Sequence, residues 1–526
     1  MTANGSTGAG SHGVGATGDG SAASPGFDVM LGEIDLAVEP VSESVSLAPA
    51  VGIAVGGGSI ISLPHDEPGA GGGPSAESFR TGIVQASPVA IAGLVVNAAS
   101  AVVVVLVAHL VSSRSYGVIA QLLGLFFILS MPGSAVLVGV VRRVTVLQRI
   151  GQGDRVHRWV ASVHRIVLAV LVLEVGVVWL LQGWIAHQLS LPNDQGVLPI
   201  LAAAGVWILL SVDRGLLQAH RDYRALAVNL LMEGAVKAVC VIGFVAIGMG
   251  VSGYALGILA SEVAATAHAR WLASRAWPAV PPITAPPSPA SNNGAPASNE
   301  VVRRVLIADV SAAFVGLALL GLLQNVDVIL IGRLDHRNAG AYAAISVASK
   351  ALVFGALALG AYLLPEATIR WNEGGHAVRQ LVVTLMFLAV PAVVLLAIAI
   401  FIPNWFLSLI FTAKLSSAAS AFAYLVVAMI FLCISVLLTN YLFGVGRRWI
   451  VLLLLAGSVA GIASVAAAHG QPVATAQADL FVQAGLAAAM VGAFVVIHHR
   501  EHGYQWFRHR DPQSTIRPAP ETGGPT

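Results

Sequence analysis

From Ile83 onward the sequence is a succession of apolar runs separated by short polar, Arg-bearing breaks. Each run is long enough for a membrane-crossing helix, which needs about 20 residues at a rise of ~1.5 Å each. Six lie near residues 88–111, 118–141, 166–186, 197–217, 226–248 and 251–272, and six more near 305–332, 341–364, 380–402, 419–442, 449–468 and 479–498. The segment 273–304 between the sets contains AWPAVPPITAPPSPASNNGAPASN, whose Pro and Asn content no membrane helix would carry. The pattern predicts an all-α polytopic membrane protein of about 12 transmembrane helices. They divide into lobes at 83–272 and 305–499, joined by a Pro/Asn-rich linker and flanked by terminal tails, 1–79 and 500–526.

The breaks themselves repeat. SSRSYG, ending at Gly117, has a counterpart in RLDHRNAG, ending at Gly340, and LQAHRDYR in FGVGRRW. Because each half has six helices, both enter from the same side, so the repeat axis runs along the membrane normal as a pseudo-twofold. Transporters built this way hold their substrate between the halves and expose it alternately to each side.

Charge sharpens the picture. Of 526 residues 56% are hydrophobic and only 10% charged, against about a quarter in soluble domains. That excludes a soluble enzyme, a secreted disulfide scaffold and a conventional nucleic-acid binder. The net +2 conceals a division: residues 1–79 carry nine acids and no Lys or Arg, leaving 28 basic against 17 acidic residues in the remainder. The Gly/Ser-rich acidic tail is expected to be disordered, since it cannot bury enough apolar surface to offset ordering entropy. With the N-terminus inside, 22 Arg, among them Arg214, fall on the cytoplasmic side, and only Arg114, Arg333, Arg337 and Lys414 on the other. The positive-inside rule then places both termini in the cytoplasm. None of the three lysines follows a GxxxxG spacing, so the chain carries no nucleotide-binding P-loop and no ATP is expected. Cys240 and Cys433 lie in apolar runs and form no zinc or disulfide pattern.

QNVDVILIGRLDHRNAGAYAAISVASKALV, with LLPEAT shortly after it, resembles the start of the second half of bacterial polysaccharide flippases of the multidrug/oligosaccharidyl-lipid/polysaccharide exporter superfamily. VVNAASAVVVVLVAHLVSSRSYGVIAQLLGLFFIL resembles their opening hairpin, and RGLLQAHRDYRALAVNLLMEGAVKAV their fourth and fifth helices. The resemblance, over roughly 85–500, implies a pair of six-helix lobes in a bacterial plasma membrane that carries a polyprenyl-pyrophosphate-linked oligosaccharide to the outer leaflet without a cofactor. Its partners would be the glycan-lipid, membrane lipids and glycan-assembly enzymes. The related peptidoglycan-precursor flippases have fourteen helices and an early Arg-Asp pair, which this chain lacks. The acidic tail and Pro-rich linker are also foreign to the family pattern.

Intramembrane charges cost about 2.5–3.5 kcal/mol on insertion scales and mark a pathway or a partner. Glu174, Glu233, Lys237, Glu262 and Lys350 fall deep in the runs, with Asn97 near the midplane and Asn325 and Asp327 towards an outer end. A pyrophosphate leaving water needs compensating cations. The deep candidates are Lys350 and Lys237, with Arg114 and Arg333 at the outer mouth. Lys237 has Glu233 one helical turn before it, so a self-neutralising pair is the competing reading; Lys350 competes with a pairing to Asp327. Glu174, Glu233, Glu262, Asp327 and Asn325 are candidates for ion coupling or for holding the lobes together. HHREH at 498–502 satisfies a zinc-protease spacing but sits at a helix exit with no catalytic domain, and Gly457/Gly461 read as a close-packing face; no metal site is expected. Two alternatives remain open. One is a multidrug or cation antiporter of the same fold, favoured by the deep acids. The other is a membrane glycosyltransferase or polymerase, disfavoured by short outer loops with only isolated Asp194 and Asp335.

Overall fold

A computed structural model describes residues 76–149, 153–276, 297–372 and 378–508. The acidic tail up to residue 75, the linker from 277 to 296 and the C-terminal tail beyond 508 lie outside the described residues. The chain divides into two units; Val45–Ala290 with Arg303–Thr526 forms the one treated below, and of the other only the opening turns of α8 are described.

The first lobe comprises α1 (Ala76–Leu110), α2 (Ser113–Ser130), α3 (Gly133–Arg149), α4 (Gly153–Gln188), α5 (Val197–Ala219), α6 (Tyr223–Phe244) and α7 (Gly250–Ala276). The second comprises α8 (Ala297–Leu334), α9 (Ala339–Asn372), α10 (Val378–Phe401), the short α11 (Pro403–Ile410), α12 (Ala419–Gly444), α13 (Ile450–Ala467) and α14 (Pro472–Arg508). No strand occurs among the described residues. Helices are what a lipid interior enforces, because each backbone N–H and C=O must find its partner within its own segment.

Eleven segments among the described residues are long and apolar enough to cross a membrane. One of them, Tyr223–Arg275, folds back on itself at Gly248 (φ +93°) and Gly250 (φ +55°), a backbone that L side chains rarely adopt. Gly253 then lies against Phe244 and Gly257 against Val241, so α6 and α7 form a tight hairpin and the crossings number twelve. The second run is one crossing built of α2 and α3, which break at Met131-Pro132 because Pro has no N–H to continue the ladder. Helix ends are fixed locally: the Ser112 side chain accepts from Ser115 N at 3.1 Å, and Asp222 from Ala225 N at 3.0 Å. Several helices outrun their apolar runs. α7 and α8 reach into 273–304, and α14 begins at Pro472 and ends at Arg508 rather than spanning 479–498.

The repeat is visible in the packing. In each half the fourth crossing is the core helix, α5 or α12, and the third, α4 or α10, lies mostly exposed at the periphery as a lipid-facing helix would. α5 packs on α2, α3, α4 and α7; α12 packs on their counterparts α9, α10 and α14. α6 packs on α1, with Gly234 against Val96; in the second lobe Gly316 of α8 lies against Phe443 of α12 and Leu454 of α13, and Gly461 of α13 against Val482 of α14 and Val326 of α8.

The lobes meet along α2, α8 and α9, most closely at the end that carries Ser113 and Ala339. There Gly117 and Gly340, the two loop-closing glycines of the repeat, face each other: a Cβ on Gly117 would stand 2.9 Å from both Ala339 Cβ and Gly340 N. Gly340 lies against the Ser113 carbonyl, Tyr116 packs on Phe411, and the Gln121 amide donates to Ile329 O at 3.1 Å. Further along, Phe127 meets Phe354 with ring centroids 5.9 Å apart, and Met131 covers Gly321.

Candidate functional site

Between the lobes lies a cavity of about 210 Å³. Its walls are largely apolar and aromatic, with Val103, Val104, Phe126, Phe127, Trp207, Tyr254 and Phe354 prominent. Into them open Asn97, Glu233, Lys237, Glu262, Asn325 and Lys350. Lys237 and Lys350 belong to different lobes, and each lies about 16 Å from the Ser113/Ala339 end of its lobe by count of helical rise.

In the first lobe, three elements build one ion network. Glu233 on α6, 3% exposed, accepts from Arg214 Nη2 at 2.6 Å and from Lys237 Nζ at 2.7 Å. Arg214 also donates from Nε to Asn229 Oδ1 at 2.8 Å and lies over the Trp207 ring, 5.4 Å from its centroid. Asn229 in turn donates to the Ala265 carbonyl at 2.9 Å, tying α6 to α7. Glu262 on α7 is fully buried, 3.8 Å from Lys237 Nζ, and neither of its oxygens accepts a hydrogen bond. Charges buried this deeply persist because they are paired. The predicted self-neutralising pair of Glu233 and Lys237 is therefore present, with Arg214 as a second cation.

The second lobe is arranged more loosely. Lys350 on α9 donates to Asn325 Oδ1 at 3.3 Å, and its ammonium is 3.6 Å from Asp327 Oδ1. Asp327 lies behind Lys350, away from the cavity lining, where Ser346 Oγ donates to its Oδ2 at 3.4 Å. Asp479 on α14 is also fully buried; it accepts from Gln483 Nε2 at 3.1 Å and interacts electrostatically with Asp327 and Lys350.

The remaining candidates lie elsewhere. Arg114 and Arg333 are exposed at the Ser113/Ala339 end and neither lines the cavity. Arg114 lines a separate surface pocket of about 360 Å³ with Asn193, Gln195 and Ser252. Glu174 projects from the peripheral α4 against Gly205 and does not reach the cavity. Of the four candidate cations, Lys237 and Lys350 line the cavity, while Arg114 and Arg333 sit in the first or last turn of their helices at the Ser113/Ala339 end.

Two charged residues of these networks were not singled out by the sequence. Arg214 was counted with the cytoplasmic arginines, yet it is 4% exposed inside α5, which continues to Ala219. Its signal was the acid at Glu233 across the 220–222 turn. Asp479 was taken as the boundary of the last run, whereas α14 starts two turns earlier. Among the described residues no group of three or more His, Cys, Asp or Glu is gathered for a metal ion.

Compared by sequence, the chain matches no protein-family profile and no curated protein. Compared by fold, it is similar to a multidrug resistance MATE family transporter of the MOP superfamily in its inward-facing conformation: TM-score 0.58 and 12% identity over 77% of this chain and 94% of that one. A MATE structure in a straight conformation gives 0.56 at 14% identity, covering 80% and 96%. A MOP superfamily transporter from Pyrococcus furiosus Vc1, described by the reverse polarity of its binding pocket, gives 0.52 at 15%, again over 80% and 96%. The all-helical, multi-pass membrane fold is thus similar to that of MATE transporters.

Proposed function

We propose that the protein is a transporter that flips a polyprenyl-pyrophosphate-linked oligosaccharide across the bacterial plasma membrane by alternating access, for cell-surface polysaccharide synthesis. The observation that carries this reading is the convergence of Lys237 and Lys350, from opposite lobes, on one buried cavity with apolar walls. Two lysines that change their spacing as the lobes rock can hold a diphosphate and release it, since its charge needs cationic partners away from water. The cavity is below the ~300–1,000 Å³ of ordinary ligand sites. It therefore takes the phosphate head and leaves the prenyl chain in lipid. With both termini in the cytoplasm, the closed Ser113/Ala339 end faces outward and the substrate enters from the inner leaflet.

A second reading is a multidrug antiporter, which the fold similarity favours together with the aromatic walls and the buried acids Glu233 and Glu262. Reconstitution separates the two. In vesicles carrying fluorescent polyprenyl-pyrophosphate sugars, the flippase reading predicts leaflet exchange dependent on the protein and no accumulation of cationic dyes. Dye export without glycan-lipid exchange overturns it.

A further inference from the structure

With both of its carboxylates ionised the first-lobe network carries no net charge, and that raises a difficulty for an anionic ligand. Arg214 and Lys237 balance Glu233 and Glu262, all four inside the fold. A diphosphate diester arriving at Lys237 would meet an ammonium already matched by carboxylates. One of the acids has to give way, and the hydrogen bonds decide which. Glu233 has each oxygen held by a cation, at 2.6 and 2.7 Å, so neutralising it would strand Arg214. Glu262 shares the cavity lining and the burial of Glu233 but not its hydrogen bonds. It lines the cavity, it is fully buried, neither oxygen receives a hydrogen bond, and Lys237 stands 3.8 Å away, beyond hydrogen-bond reach.

From this geometry we infer that Glu262 is the residue that admits the anion: it takes up one proton when a diphosphate diester binds, and so releases Lys237 to the phosphate. The proton adds to a Glu262 carboxylate oxygen, no covalent bond to the ligand forms, and the network gains a single positive charge that offsets one of the two negative charges of the diphosphate diester. The groups facing Glu262 all bear on this exchange. On α6 they are Glu233 and Lys237 and on α5 Arg214, while Tyr254 of its own helix, Asn97 of α1 and Lys350 of α9 share the cavity lining with it. Among the described residues only Glu262 combines a titratable oxygen, a place in the cavity lining and freedom from hydrogen bonds. Lys350 also has an acid nearby, Asp327 at 3.6 Å, but Asp327 is not part of the cavity lining, so the exchange is placed on Glu262.

This inference rests on the diphosphate reading, and the experiment keeps the two apart. The probe is farnesyl-pyrophosphoryl-N-acetylglucosamine, a diester whose phosphates do not titrate between pH 5 and 9. It is bound to the purified full chain and measured by isothermal titration in two buffers of different ionisation heat. The wild type is expected to take up close to one proton per ligand and to bind about tenfold more tightly per unit fall in pH, while Glu262 is ionised in the free protein. Glu262→Gln is expected to bind with no proton uptake, at the wild type's low-pH affinity, independently of pH. Wild-type binding without proton uptake overturns the inference and leaves the diphosphate reading standing. Unchanged pH dependence in E262Q also overturns it. Absence of binding at every pH overturns the diphosphate reading and this inference with it.

Discussion

The two lobes repeat one packing scheme but hold their buried cations differently. In the first, Glu233 grips Arg214 and Lys237 with both oxygens at hydrogen-bond distance, and Asn229 and Trp207 fix the guanidinium from other sides. In the second, Lys350 makes one long hydrogen bond to Asn325, and its acid stands at 3.6 Å. The same six-helix lobe thus carries a braced network on one side of the cavity and a loosely held lysine on the other. A braced pair stabilises the lobe and is costly to disturb; a loosely held ammonium is available to a ligand. The scaffold repeats while the charge chemistry differs.

Stability is where this contrast should break most visibly. Glu233→Gln leaves two buried cations with one distant carboxylate between them and should destabilise the protein by ~3–5 kcal/mol. Asp327→Asn leaves Lys350 its hydrogen bond to Asn325 and the Asp479 carboxylate nearby, and should cost less, about 1–3 kcal/mol. Thermal unfolding in detergent gives the comparison directly, and equal losses would remove the distinction between the lobes.

A second test uses a feature the lobes share. Gly117 and Gly340 occupy equivalent places and meet at the interface, so Gly340→Val would drive its side chain into the Ser113 backbone. Spin labels at positions 114 and 337, both exposed, should report a longer distance in the variant, because the lobes can no longer close at that end. An unchanged distance distribution would show that the contact does not control closure.

The smallest effect is expected at the far end of α5. Burial lowers the His220 imidazole below the ordinary histidine value, opposed by the Asp222 carboxylate, while its Nδ1 lies 3.1 Å from Gln148 Nε2. The fold therefore favours the neutral ring. The unfolded chain binds the proton first as pH falls, so this contribution is intact above about pH 6.5 and is lost on acidification. The unfolding temperature of the wild type should drop slightly more between pH 7 and 5 than that of His220→Gln.

Much of this was legible along the chain. Run lengths specified the crossings, and the glycine-closed loops marked the repeat whose two glycines turn out to touch. The i,i+4 spacing of Glu233 and Lys237 announced their ion pair. What could not be read was anything set by which face a helix turns inward. Arg214 looks like a boundary arginine until α6 is seen to carry Glu233 beside it, and Glu174 looks as deep as Glu262 although α4 lies at the periphery. Asp479 is hidden by the stretch Pro472 to Asp479, which forms the start of α14 with Thr475 and Asp479 buried in the second lobe. Hydropathy measures depth along a helix axis, and the functional distinctions here are azimuthal.

The account rests on Lys350 as the readily available cation of the cavity, and leaflet exchange of a fluorescent polyprenyl-pyrophosphate sugar tests it most directly. Removing the lysine alone strands Asp327, so the informative variant is Lys350→Met with Asp327→Asn, which deletes both charges together. The account predicts a folded protein whose exchange rate falls at least tenfold, with Lys350→Arg retaining most of it. Exchange at the wild-type rate in the double variant would contradict it.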